Sequence, residues 1–231
     1  MNELNNNYYS QTNDISVVNT FVRKVLLNMV VGLLITLIVP VYCTLFNPTL
    51  LLEMQRYIKF ILIGQVALVL ILSFSLNNIS IFAARSMFYL YAFTNGIVLS
   101  GITFIFDIRA ILYALAITIT LFLVTAVYGY FTTEDLTKYS KFLMGGLITI
   151  ILVSILNIFL KISLIYWAIT VVGIVIFSAL IAYDINRIKN LAIQNYNNVN
   201  LEKIGIIGAL NLYLDFINLF LYILRLVSRK K

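Results

Sequence analysis

Seven long apolar runs, separated by short polar breaks, dominate the chain. They lie at 25–46, 57–76, 86–106, 111–131, 142–160, from about 164, and at 204–227. Each is close to the roughly 20 residues that a helix needs to cross a bilayer core at about 1.5 Å per residue. The pattern predicts seven transmembrane helices. The first is expected to bend or end near Pro40, and no proline follows Pro48, so the later helices carry no proline kink. Only Asp107-Ile108-Arg109-Ala110 separates the third run from the fourth, which predicts a tight antiparallel hairpin. No internal repeat of the transporter kind is visible.

Composition sharpens this to a class. The chain of 231 residues is 62% hydrophobic and 11% charged, a balance that excludes a soluble globular domain. The expected fold is an all-α polytopic membrane protein, a seven-helix transmembrane domain over 23–231. The polar, Asn-rich residues 1–22 read as a disordered tail before a retained helix, because the run after them is too long for a signal peptide. The net charge of +7 comes from Lys and Arg at span ends, where snorkelling is their ordinary use, and does not point to nucleic acid. Eight basic residues fall on each side of the membrane, a tie; Arg23-Lys24 before the first span favours a cytoplasmic N-terminus. The chain has no histidine, which excludes a Ser-His protease, an H-E-x-x-H zinc site and a haem-His pocket. No cofactor and no enzyme activity are expected. The lone Cys43 reads as a packed core residue.

One charge changes the picture. Asp215 sits near the middle of the last run, roughly 16 Å from either end. A carboxylate at that depth costs about 2.5–3.5 kcal/mol on insertion scales. Around it Gly208, Asn211, Asp215, Asn218, Tyr222 and Arg225 recur at spacings of three and four, which places them on one helical stripe. Such a stripe either packs helices, with Gly for close approach and Asn for interhelical hydrogen bonds, or carries a functional site.

The partner candidate is Asp184, in Tyr183-Asp184-Ile185-Asn186-Arg187. It stands 31 positions before Asp215, so in a helical hairpin the two are level if the turn falls near Val199-Asn200, inside the polar segment 195–200. The sixth helix would then run past the membrane surface to about Gln194. A solvated interfacial Asp184 is the alternative. Two close carboxylates cannot both ionise cheaply, and their protons come off in steps that belong to the pair. Such a pair can sense pH, bind a cation such as Ca²⁺, or hydrolyse peptides. Tyr183-Asp184 matches half of the intramembrane aspartyl protease pattern. The other half fails: Leu212-Tyr213-Leu214 precedes Asp215, and no Pro-Ala-Leu segment exists. Arg85, opening the third run, can snorkel or reach inward as a charge partner of the pair.

The stretch 213–225, Tyr-Leu-Asp-Phe-Ile-Asn-Leu-Phe-Leu-Tyr-Ile-Leu-Arg, closely resembles the last-helix signature of the Bax inhibitor family in its bacterial branch. Residues 182–189 resemble its sixth-helix motif, 128–137 the break between its fourth and fifth helices, and 88–96 its third helix. The motif often has Thr-Gln where this chain has Ile185-Asn186. Arg85 or Asn78 falls where the family has an arginine associated with the pair. The resemblance implies seven helices with the last one central, and a bacterial inner membrane location. It also implies a pH-dependent calcium leak gated by the aspartates that Asp184 and Asp215 match, with both able to hold Ca²⁺ transiently. Three functions stand beside one another at this point. The first is that leak, with Ca²⁺ and H⁺ as its ions and a monomer as the unit. The second is a non-conducting regulator whose partner is a membrane-bound protease or another membrane protein, with stress protection as its role. The third is a proton- or ion-coupled transporter.

Overall fold

The computed structural model describes residues 2–47, 49, 53, 54, 56–75, 79–194 and 201–228. Seven helices follow in order: α1 (Asn2–Phe46), α2 (Ile58–Ser75), α3 (Ile81–Ser100), α4 (Ile108–Phe131), α5 (Ser140–Leu160), α6 (Ser163–Gln194) and α7 (Leu201–Val227). A helical turn, Ile102–Ile105, follows α3, and a 3₁₀ turn, Leu136–Tyr139, leads into α5. No strand occurs among the described residues. All but α2 are long and apolar enough to cross a membrane; the apolar part of α2, Ile58–Leu72, is shorter. The chain is an all-α, multi-pass integral membrane protein.

The ends of the helices follow from local chemistry. Ser80 caps α3 by accepting from the Ala83 amide at 3.1 Å, and Asp107 caps α4 by accepting from the Arg109 amide at 2.9 Å. Ile108, Arg109 and Ala110, expected between the third and fourth spans, lie inside α4. α5 ends on Lys161, the only non-glycine residue with positive φ (54°) among the described ones. Asn157 closes that end by accepting from the Ile162 amide at 3.0 Å.

The structure bears on two expectations for α1. Helix begins at Asn2, and its membrane-length part starts at Ser16, inside the segment read as a tail. Val18, Phe21, Val22 and Val25 form an apolar i, i+3, i+4, i+7 stripe, and all four are buried. Of the bend or end expected near Pro40, the end does not occur, since the helix continues to Phe46. A proline frees the carbonyl four residues earlier, here that of Thr36. Gly96 of α3 packs against this oxygen, since a Cβ at Gly96 would stand 2.6 Å from it. Cys43 is fully buried beside Val39 and Ile97.

The chain divides into two compact units, Met1–Ile105 with Ile188–Tyr213, and Phe106–Arg187 with Leu214–Lys231. Helices α6 and α7 contribute a stretch to each. The last helix is the interior one: 67% of its most apolar stretch is buried, against 11–33% for the other spans.

In the first unit α1, α3 and α7 are tied by a polar chain inside the apolar packing. Asn95 Nδ2 donates to the Tyr213 hydroxyl at 2.8 Å, which lies 2.6 Å from Thr36 Oγ1. Thr36 Oγ1 in turn reaches the carbonyl oxygens of Ala92 (2.9 Å) and Gly32 (3.0 Å). Tyr213 is wholly buried, with the rings of Phe88 and Tyr91 edge-on to it. The two hydroxyls and the Asn95 amide nitrogen thus all have partners, the condition for burying such groups cheaply.

Candidate functional site

The second unit holds the aspartates. Asp184 on α6 and Asp215 on α7 are both buried, 7% and 8% exposed, and their side chains share a hydrogen bond. A carboxylate only accepts, so a bond between two carboxyl groups requires a proton on one of them. The spacing of 31 residues thus sets them face to face. The segment 195–200, where the turn was expected, lies outside the described residues, as do Pro48 and Asn78. Asp215 Oδ2 is buried with no hydrogen-bond partner. An orphaned carboxyl oxygen typically costs about 1–3 kcal/mol, so its presence calls for a functional explanation.

The cation acting on Asp184 is Arg187, three residues on along α6, which the sequence reading passed over. Arg85, left open between snorkelling and partnering the pair, forms an ion pair with Glu202 at 2.7 Å in the first unit. Glu202 opens α7, 117 positions away in sequence, and nothing in the Arg85 segment announces it.

Asn186 holds the break between α4 and α5. It is 1% exposed. Its Oδ1 accepts from the Leu136 amide at 3.1 Å, and its Nδ2 donates to the carbonyls of Gly129 (3.3 Å) and Glu134 (3.2 Å). The Asn186 position, where this chain departs from the resembling motif, thus serves the loop, while Asp184 one half-turn away faces Asp215. Tyr183 donates to Ser140 Oγ at 3.3 Å, linking α6 to the start of α5.

The same loop carries Asp135, whose carboxylate accepts from the Thr137 hydroxyl (2.7 Å) and amide (3.0 Å). These bonds, the hydroxyl first, hold its pKa below the ordinary Asp value. A lowered folded-state pKa stabilises the turn above the unfolded pKa and loses that effect as pH falls through the folded one. Amide exchange at Thr137 should therefore be slow at neutral pH and speed up, beyond its intrinsic pH dependence, only below the usual carboxylate range. Asp135→Asn should flatten this response.

The stripe on α7 divides by surroundings. Gly208 lies against Ile188 and Val25 in the first unit, where Asn211 is half-buried. In the second unit Asn218 Nδ2 donates back to the Leu214 carbonyl at 2.8 Å. Tyr222 stacks on Phe177 and presses on Gly173, where a Cβ would stand 2.7 Å from the ring. Arg225 stacks over Tyr166 and Tyr222, at 4.9 and 5.2 Å from the ring centres. Asn218 thus turns back onto its own helix and Tyr222 serves packing, while Asp215 is the stripe residue whose carboxyl group meets another carboxyl, that of Asp184.

No group of three or more acidic, His or Cys side chains comes together among the described residues. Resident Ca²⁺ sites use about six to eight oxygens, and two carboxylates fall short of that.

Comparison with known proteins places the chain in a family. The family described as inhibitor of apoptosis-promoting Bax1 matches residues 18–231. The inner membrane protein YbhL of Escherichia coli K12 is 36% identical over 218 residues, 92% of each chain. A protein of Borreliella burgdorferi is 37% identical over 223 residues, covering 94% of this chain and 95% of its own. One of Deinococcus radiodurans is 30% identical over 217 residues, 94% of each. The match extends from α1 through both aspartate-bearing helices to the final residue, and the chain belongs to the Bax inhibitor family.

Proposed function

We propose that this protein lets Ca²⁺ leak passively across a membrane, and that the proton held between Asp184 and Asp215 gates the passage. The observation carrying this reading is the buried carboxyl contact with its orphaned Oδ2. With a proton present, the pair joins α6 to α7. With the proton gone, two carboxylates repel across the same gap and offer oxygens suited to a hard divalent cation. One site therefore responds to both ions. The inner membrane is the proposed location, by analogy with the protein that YbhL's name describes. Arg23-Lys24 ahead of the first span favours a cytoplasmic N-terminus.

The test is Ca²⁺ flux into liposomes carrying wild type or Asp215→Asn, at several values between about pH 5 and 8. A proton-linked gate changes its equilibrium by up to about tenfold per pH unit near the titration. Wild-type flux should therefore vary several-fold over that range, while Asp215→Asn, in which Asp184 alone is left to titrate, should show a shifted and shallower profile. Identical profiles for both proteins would remove the gating role.

A further inference from the structure

In the second unit a cavity of about 1190 Å³ opens where α5 ends, α6 begins and α7 finishes. Its charged lining is Lys161 and Arg225, and no acidic residue lines it. Ser154, Asn157, Ser163 and Ser228 add hydroxyl and amide groups. Ser163 is the first residue of α6, whose opening amides have no partner within the helix and favour negative charge. The remaining wall is apolar, formed by residues such as Ile158, Leu226 and Val227.

Two features bear on the occupant. Arg225 lies with its guanidinium over the faces of Tyr166 and Tyr222, an arrangement that fixes the plane and leaves the edge N–H groups for an acceptor. Trp167, also on the lining, is 46% exposed one turn inside α6, the place of a headgroup-level aromatic in a spanning helix. An all-positive polar end joined to an apolar wall at the membrane surface matches a molecule with a phosphate at one end and hydrocarbon at the other. We propose that this cavity binds the phosphate-bearing headgroup of an anionic membrane lipid, held by Arg225 and Lys161, with an acyl chain along the apolar wall. The site is separate from the aspartate pair and does not depend on the calcium reading.

Trp167 is the only tryptophan of the chain and lines the cavity, so it reports on occupancy directly. Purified protein would be titrated in micelles with phosphatidylglycerol or phosphatidylcholine brominated on the acyl chains, which quench tryptophan on contact. Half-quenching should need about thirtyfold less phosphatidylglycerol than phosphatidylcholine, the preference expected from two cations at about 1 kcal/mol each near an anionic group. Arg225→Gln and Lys161→Gln should each cut the preference to about fivefold, while Arg225→Lys, which keeps the charge, retains it. Each variant is scored only if its circular dichroism melt matches wild type; Lys161, at a helix end, provides the safer reading. Equal quenching by both lipids in wild type, or a preference unchanged in both Gln variants, would overturn the proposal. Inorganic phosphate is the other source of the same chemistry. If millimolar phosphate shifts Trp167 emission without lipid and displaces brominated phosphatidylglycerol, the site belongs to soluble phosphate and the lipid assignment falls.

Discussion

Gly129→Ala should abolish the native packing of α4 on α6, leaving little or no folded protein in a thermal melt. A Cβ built at Gly129 would collide with the Ala182 carbonyl oxygen and stand 2.8 Å from its Cα and 2.9 Å from its carbonyl carbon. Every one of these atoms is backbone, so no side chain can turn away. Overpacking in a core ordinarily costs about 1–3 kcal/mol because rotamers adjust, and here a whole helix must shift instead. The shift would also pull on Asn186, whose amide reaches the carbonyls of Gly129 and Glu134. Stability should therefore fall well beyond the usual alanine substitution. Gly145→Ala is the control: nothing lies within 4 Å of its added Cβ, and alanine is the better helix former by about 1 kcal/mol. The contrast between the two glycines in one melting series is the measurement. Similar melting temperatures for both variants would refute the close approach of α4 and α6.

The two glycines also show where the sequence stops being legible. Both sit in apolar helices and look alike on the page; only the approach of Ala182 distinguishes them. The spans themselves were readable because length and apolarity are properties of one segment at a time. The depth of Asp184 was readable as well, since a spacing of 31 residues around a polar turn is simple helical arithmetic. Arg85 stayed open between two readings for the opposite reason: its partner Glu202 lies on another helix, and charge alone does not say which acid a cation meets. Asn186 and Tyr213 make the same point. Their hydrogen bonds reach loop groups and residues of α1 and α3 that are distant in sequence, and nothing in their own segments names those partners. The polar start of α1 misled because Val18, Phe21, Val22 and Val25 are diluted by Asn, Ser and Thr, yet a helix gathers them on one side.

Replacing both aspartates by leucine should make the protein more stable and silence it. Leucine repeats the branching of aspartate at Cγ, adds no polar atom, and removes the orphaned Oδ2 of Asp215 together with the desolvation of two carboxyl groups. Exchanging a buried charged network for apolar residues of similar shape is often neutral or stabilising, by about 1–4 kcal/mol. The single variants should behave otherwise. Asp215→Leu leaves Asp184 buried (7% exposed) without its hydrogen-bond partner, and a stranded charged group costs more than the roughly 1–3 kcal/mol of a neutral one. Each single should melt below wild type and the double above both, a non-additivity that marks residues in direct contact. The measurement is a double-mutant cycle of melting temperatures in one detergent, run beside the Ca²⁺ flux assay. Additive effects would place the two carboxyl groups apart. A double variant that is stable yet still shows pH-dependent flux would separate the pair from gating. A stable but pH-indifferent double variant is the expected outcome, because a buried contact that lowers stability is retained only where the chain uses it.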